Sequence, residues 1–210
     1  MLGAFGIAHL RSTLCATAEE AVAAAAAAGG PVAVKLASTT IVHKSDVGGV
    51  ALGLRDETAV RKAFAGIEAR GAALGRRDEM HGVIVQPMAG TDVDVIVGMV
   101  LDQDFGPLLA YGSGGVATEL LEDVAFRLAP LTDVEATGLV GATRGAALLR
   151  GFRGAPIADE PALVELLLRV SRMAVELPEL AELDLNPVRV FARGQGAVAL
   201  DARARVAPPR

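Results

Sequence analysis

The sequence predicts an α+β protein built as two lobes. Three observations lead there. Helix-type and strand-type segments alternate over the first 87 residues, and after Met88-Ala89-Gly90 the pattern shifts to longer apolar strands. At 210 residues and 52% hydrophobic, the chain has material for one large domain or two small lobes. The expected units are 1–87 and 88–210, with Gln86–Gly90 as the hinge.

The elements follow in order. Thr17-Ala18-Glu19-Glu20 is a capping-box pattern, and the alanine-rich run behind it has the best helix propensity available. Gly29-Gly30-Pro31 ends that helix, and Val32–Leu36 reads as a strand. A Gly- and Ser-containing loop from Ser38 to Gly49 leads to a second strand, Val50–Leu54. Asp56 caps a helix to about Ala69, with Val60, Phe64 and Ile67 at helical spacing. Gly82–Gln86 is a short buried strand ending at Pro87. Val93–Val100 is nearly all apolar, which predicts burial on both faces. A turn at 102–107, a strand Leu108–Tyr111 and the loop Gly112-Ser113-Gly114-Gly115 follow. Helices are expected over Asp133–Leu149 and, started by Asp159-Glu160-Pro161, over Ala162–Val175. A hairpin closes the chain: strands Val188–Phe191 and Ala197–Leu200 around a turn at Ala192–Gly196.

Composition excludes several functions. Lys and Arg number 20 against 25 Asp and Glu, a net charge of −5, with no basic block to capture nucleic acid or an anionic membrane. Aromatics are 3% and Trp is absent, which removes base-stacking platforms. The single cysteine, Cys15, allows neither an internal disulfide nor a zinc cluster. The longest apolar stretch, around Ala21–Leu36, is broken by Gly29-Gly30-Pro31, short of the roughly 20 residues a membrane span needs. The start, MLGAFGIAHLRS, lacks a signal peptide's basic region. A soluble cytoplasmic protein is expected.

Three features carry chemistry. Lys35 lies in an apolar strand ahead of the loop His43-Lys44-Ser45-Asp46-Val47-Gly48-Gly49. Glycines let backbone amides approach an anion and lysine adds point charge, a phosphate-type arrangement; the plainer reading is a surface loop with a snorkelling lysine. Folding the terminal hairpin about Arg193–Gly196 brings Asn186 near Asp201, hard oxygen ligands of the kind Mg²⁺ takes, with Asp184 on the same face as support. Equally, Asn186-Pro187 can mark a strand start and Asp201 a strand end. His43 lies in the phosphate-type loop, where an imidazole can act as nucleophile; a lone histidine is more often structural or solvent-facing. His9 and His81 have no comparable setting and read as non-catalytic.

Together these features resemble the ATP-grasp domain, or beta subunit, of nucleoside-diphosphate-forming acyl-CoA synthetases, relatives of succinyl-CoA synthetase that include ADP-forming acetate–CoA ligases. The resemblance runs through PVAVKLASTTIVHKSDVGGVALGL (31–54), GVIVQPMAGTDVDVIVGMVLDQDFGPLLAYGSGG (82–115), TELLEDVAFRLAPL (118–131), ELDLNPVRV and ALDARARV. It implies an ATP-grasp fold, with ATP or ADP between two lobes. Lys35, with Lys44, Gly48 and Gly49, would meet the nucleotide phosphates, and Gln86, Pro87 and Met88 would run along the adenine. Asp94 takes the place where such domains usually carry a glutamate near the nucleotide, one methylene longer. Asn186 and Asp201 would hold Mg²⁺.

The resemblance also implies that His43 carries a phosphoryl group, on a loop that swings between two sites, from a separate CoA-binding and ligase part to ADP. That part is expected as a partner subunit or as the remainder of a longer chain, because no GxGxxG fingerprint follows a first strand and no second phosphohistidine loop is found. The family's short helix before the LGAFGI-like start is also missing, which suggests a fragment or a trimmed subunit. Two other readings are a regulatory ATP-grasp-like domain of a protein acetyltransferase and a carboxylate–amine or carboxylate–thiol ligase making acyl phosphate directly. The latter needs no phosphohistidine, so His43 discriminates it.

Overall fold

The computed structural model describes residues 1–41, 44–90, 92–114 and 123–208. The chain forms two compact units, residues 10–89, and residues 1–9 together with 90–210.

In the smaller unit a four-stranded antiparallel sheet runs β1 (Thr13–Cys15), β4 (Val83–Pro87), β2 (Val32–Leu36), β3 (Val50–Leu54). Two helices pack on it, α1 (Ala18–Ala28) and α2 (Glu57–Ala73). Thr17 Oγ1 accepts the Glu20 amide, while the Glu20 carboxylate takes the amide of Ala16, one residue ahead of the cap. Gly29 ends α1 at φ 69°, the left-handed conformation glycine adopts without cost. Asp56 caps α2 through the Ala59 amide, and the helix runs one turn past Ala69. Val32, Val34, Leu36, Val83 and Val85 face Val60, Phe64 and Ile67 in one apolar core. Cys15 is fully buried there; burial, then the charge of Glu20, raises its thiol pKa and leaves it a packing residue.

The larger unit has a six-stranded antiparallel sheet in the order β10 (Ala202–Val206), β8 (Leu180–Val190), β5 (Val93–Asp102), β6 (Gly106–Ser113), β7 (Val124–Leu128), with β9 (Ala197–Ala199) paired to β8. Three helices follow β7: α3 (Asp133–Gly141), the one-turn α4 (Ala146–Leu149) and α5 (Glu160–Glu176). Leu163, Leu167, Val170 and Met173 of α5 pack on Val95, Val97, Met99, Leu183 and Leu185 of the sheet. Residues 1–9 join this core: Ile7 is buried in it, and the Ala199 amide donates to Ala8 O at 2.9 Å.

Several expectations change. Val93–Val100 is not buried on both faces: Val95, Val97 and Met99 are buried while Val100 is exposed, because an antiparallel sheet covered on one side alternates. Gly112 and Ser113 belong to β6 rather than to a loop, and Gly115 lies outside the described residues. The helix expected over 133–149 breaks at 142–145. Three strands were not expected: β1, β7 and β10. The final hairpin is longer, since β8 begins at Leu180 and Asn186-Pro187 lies inside it. Among the described residues, no helix is long and apolar enough to cross a membrane.

Candidate functional site

Lys35 is the half-buried interruption in an otherwise buried strand. Strand alternation turns Val34 and Leu36 to the helices and Lys35 to the other face, and its neighbour on β4 is Ile84. Gln86 pairs with Ala33, two positions from Lys35, so both side chains occupy that same face as diagonal neighbours. Gln86 is buried, Pro87 half-buried and Met88 exposed, and the Met88 amide donates to Pro31 O at 2.8 Å.

The loop behind Lys35 closes on itself. Gly48 N–H donates to Ser45 O at 2.9 Å and Gly49 N–H to Lys44 O at 2.7 Å, while Gly49 O accepts the Leu36 amide at 2.7 Å. The glycine amides suited to an anion are therefore engaged within the turn in this conformation. What requires glycine here is space: a Cβ on Gly49 would stand 2.9 Å from Lys44 O and 3.0 Å from Leu36 Cβ. His43, the candidate nucleophile, lies outside the described residues.

On the larger unit, the hairpin places Asn186 directly opposite Asp201, whose carbonyl accepts the Asn186 amide at 3.2 Å. The register is continuous on both sides, Val188 with Ala199 and Leu185 with Ala202. Asp184 pairs with Arg203 and Gly98 on the same stretch. Burial, the largest cause, raises the Asp184 carboxyl pKa; Arg203 opposes this, while Asp201 and Glu182 add to it. Asp201 is thus close enough for its charge to act on Asp184. Among the described residues, no three His, Cys, Asp or Glu converge as a metal cage. The donors at hand, a carboxylate and an amide oxygen with a second carboxylate behind, suit a hard cation that keeps most of its waters and takes the rest from phosphate. The residues fit Mg²⁺ on that ground.

Asp94 has a well-defined partner. Arg189 forks its carboxylate, Nε to Oδ1 and Nη2 to Oδ2, both at 2.8 Å, and its third nitrogen reaches Gly90 O. Both Asp94 oxygens are engaged at the root of β5. Gly114 closes the other side: its amide donates to Asp94 O at 2.9 Å, and a Cβ there would meet the Asp94 carbonyl at 2.5 Å.

Sequence reasoning missed Arg189, although an arginine within the apolar run Val188–Val190 is the same kind of signal that picked out Lys35. It also missed Asp123, whose carboxylate accepts Ser113 Oγ at 2.6 Å and the amides of Arg144 and Gly145, each at 2.8 Å. Desolvation pushes the Asp123 pKa up, but these donors outweigh it and leave it lowered.

A family model described as an ATP-grasp domain matches residues 1–206. The beta subunit of acetate–CoA ligase [ADP-forming] I from Pyrococcus furiosus is 38% identical over 185 residues, 88% of this chain and 79% of that one. The 4-hydroxybutyrate–CoA ligase [ADP-forming] of Nitrosopumilus maritimus is 38% identical over 203 residues, 97% of this chain but 29% of that protein, so the present chain spans under a third of that relative. Among solved structures, the dinucleotide-forming acetyl-coenzyme A synthetase 1 of Ca. Korarchaeum cryptofilum is similar in two complexes. One, with coenzyme A, Ca-AMPCP and HgCl+, has a TM-score of 0.93 at 39% identity, covering 98% of this chain and 89% of that one. The other, with coenzyme A and Mg-AMPPCP and its phosphohistidine segment pointing towards the nucleotide-binding site, has a TM-score of 0.83 at 38% identity, covering 98% and 88%. The match to the domain model over residues 1–206, with relatives of this identity and coverage, settles the family: the chain belongs to the ATP-grasp domain family.

Proposed function

We propose that the chain is the nucleotide-binding phosphotransfer component of an ADP-forming acyl-CoA synthetase, which interconverts acyl-CoA, ADP and phosphate with a carboxylic acid, CoA and ATP. The observation that supports this reading most is the Asn186–Asp201 backbone pairing, because it sets side by side two residues with hard oxygen donors, fifteen apart in a chain similar to such ligases over most of its length. In this proposal the smaller unit carries the phosphate loop and the larger unit, to which residues 1–9 belong rather than to the first lobe expected from the sequence, carries the metal site. Lys35 and Lys44 offset charge on the nucleotide phosphates, and Gln86, Pro87 and Met88 line the base.

The step assigned to this chain is one transfer. A terminal ADP oxygen attacks the phosphorus carried on the His43 imidazole; the new P–O bond forms as the P–N bond breaks, and its electron pair returns to the ring nitrogen. Asn186 and Asp201 would hold Mg²⁺, which would supply neutralisation of phosphate charge. Lys35 does the same from the sheet of the smaller unit as a point charge. Charging His43 requires a second part that binds CoA and acyl phosphate, as a separate subunit or as the rest of a fused chain. The cytoplasm is the proposed setting, and neither nucleic acid nor membrane is a proposed partner. The regulatory acetyltransferase reading draws no support from the relatives named above.

The test is labelling. With γ-labelled ATP and Mg²⁺, the chain is expected to take label on His43, and His43→Ala to take none while binding ADP with unchanged calorimetric affinity. Label persisting in that variant refutes the assignment.

A further inference from the structure

We infer that Asp159 is a positioning residue for the Asn186–Asp201 pair: it clamps the turn of the hairpin whose two arms carry these residues. The inference rests on the reading of that pair as a metal site. The arms keep one register from the turn to the pair. Phe191 N–H donates to Gly196 O at 3.0 Å, and Val190, Arg189 and Val188 pair with Ala197, Val198 and Ala199. Leu200 N–H donates to Pro187 O at 2.9 Å, and Asn186 then meets Asp201. Asn186 and Asp201 therefore stand equally far from Phe191 and Gly196, the closing positions of the turn.

The arm that leads to Asp201 is weak by itself. β9 is three residues long, the turn before it contains Gly194 and Gly196 at φ +83° and +91°, and the chain bends at Leu200–Asp201 before β10 begins. Pro187, on the facing arm, has no N–H to give. So short a strand takes its position from whatever grips its ends. Asp159, buried at 7% exposure just ahead of α5, grips one of them. Its amide donates to Phe191 O at 2.8 Å, and its Oδ2 accepts the Gly196 amide, also at 2.8 Å. A single residue thus bonds both closing positions of the turn, and the second bond is charge-assisted. Beside it, Ile157 O accepts the Arg193 amide at 2.9 Å. Helix capping does not account for this arrangement. The capping contact, from the Ala162 amide to Oδ1, is long at 3.4 Å, whereas the contact with the turn is the short one. The far end of β9 is held separately, by Ala8 O on the Ala199 amide. With both ends fixed, Asp201 leaves the bend at a defined place opposite Asn186.

The test uses the full chain with Asp159→Ala, which removes both side-chain contacts, and Asp159→Ser, whose hydroxyl still caps α5 but offers no second oxygen to Gly196. Leu167→Ala is the control for a general loss of stability. Hydrogen exchange of the Asn186 and Leu200 amides, read by NMR against amides of β5 and β6, is expected to quicken about tenfold in both Asp159 variants. By calorimetry, the Kd for ADP in Mg²⁺ is expected to rise about tenfold in both, with the Kd in EDTA unchanged, while Leu167→Ala moves neither. Asp159→Ser added to Asp201→Asn is expected to weaken Mg²⁺-dependent binding no further, because both act through one site. Unchanged exchange at Asn186 and Leu200 in Asp159→Ser, or ADP binding weakened equally with and without Mg²⁺, overturns the inference. If Asn186→Ala and Asp201→Asn bind ADP in Mg²⁺ as the parent does, the metal reading has failed, and the clamp then stands or falls on exchange at these two amides.

Discussion

Asp201 and Asn186 face each other across an antiparallel pair, and the charge placed there is felt at Asp184. Its carboxyl is raised first by burial and then by Asp201 and Glu182, against Arg203. A raised carboxyl favours the neutral form in the fold, so Asp184 costs stability at neutral pH and stops doing so as pH falls below its folded pKa. Asp201→Asn is expected to lower the Asp184 midpoint by carboxyl NMR titration and to weaken Mg²⁺-dependent ADP binding about tenfold by calorimetry. An unmoved Asp184 midpoint would separate the two carboxylates. Glu79 is the opposite case, held at about 2 by Arg76 first and Thr40 second. Its stabilising contact is fully present above the ordinary glutamate value of 4.5 and is lost only as pH falls toward 2. Backbone demands at single residues separate as clearly. Gly82 has φ +105° and a Cβ would stand 2.2 Å from Cys15 O, whereas Gly53 has φ +71° with open space around it. Gly82→Ala is expected to cost about 3 kcal/mol and Gly53→Ala about 1 kcal/mol, read from denaturant midpoints; equal losses would contradict the difference in surroundings.

Elements governed by local signals were legible. The strand Val32–Leu36, the strand Val50–Leu54 and the Thr17, Asp56 and Asp159 caps follow from alternation and side-chain acceptors a few residues away. Elements governed by distant partners were not. The helical region 133–149 breaks where Asp123, some twenty residues upstream, captures the amides of Arg144 and Gly145. A Cβ on Gly145 would overlap Ser113 Oγ at 2.0 Å, so that approach also needs glycine. The start of β8 was misplaced because Asn-Pro reads locally as a strand boundary, whereas Leu180–Leu185 is held between β5 and β10. Of the candidate site, the Asn186–Asp201 pair was legible from hairpin counting, while Arg189, which joins Asp94 ninety-five positions away, was not. α5 supplies the main helical face of the larger core. Leu167→Ala, at a fully buried position, is expected to cost about 2–5 kcal/mol in urea unfolding, against about 0.5 kcal/mol for the exposed Val175→Ala. Comparable losses at both positions would move the core off this face.

At the scale of the molecule, two antiparallel sheets each keep one face on their own helices and present the candidate residues away from it: Lys35 and Gln86 in one unit, Asp94 and Asp184 in the other. The fold is therefore economical, with helices filling the cores and leaving the second sheet faces for chemistry. On the proposed function, that chemistry is the transfer of a phosphoryl group from His43 to ADP. The most direct measurement is a chase: the chain phosphorylated on His43 is freed of nucleotide and mixed with ADP and Mg²⁺. The account predicts that the label leaves the protein and appears in ATP, more slowly when Asp201→Asn is used. A phosphorylated chain that keeps its label in the presence of ADP and Mg²⁺ would contradict it.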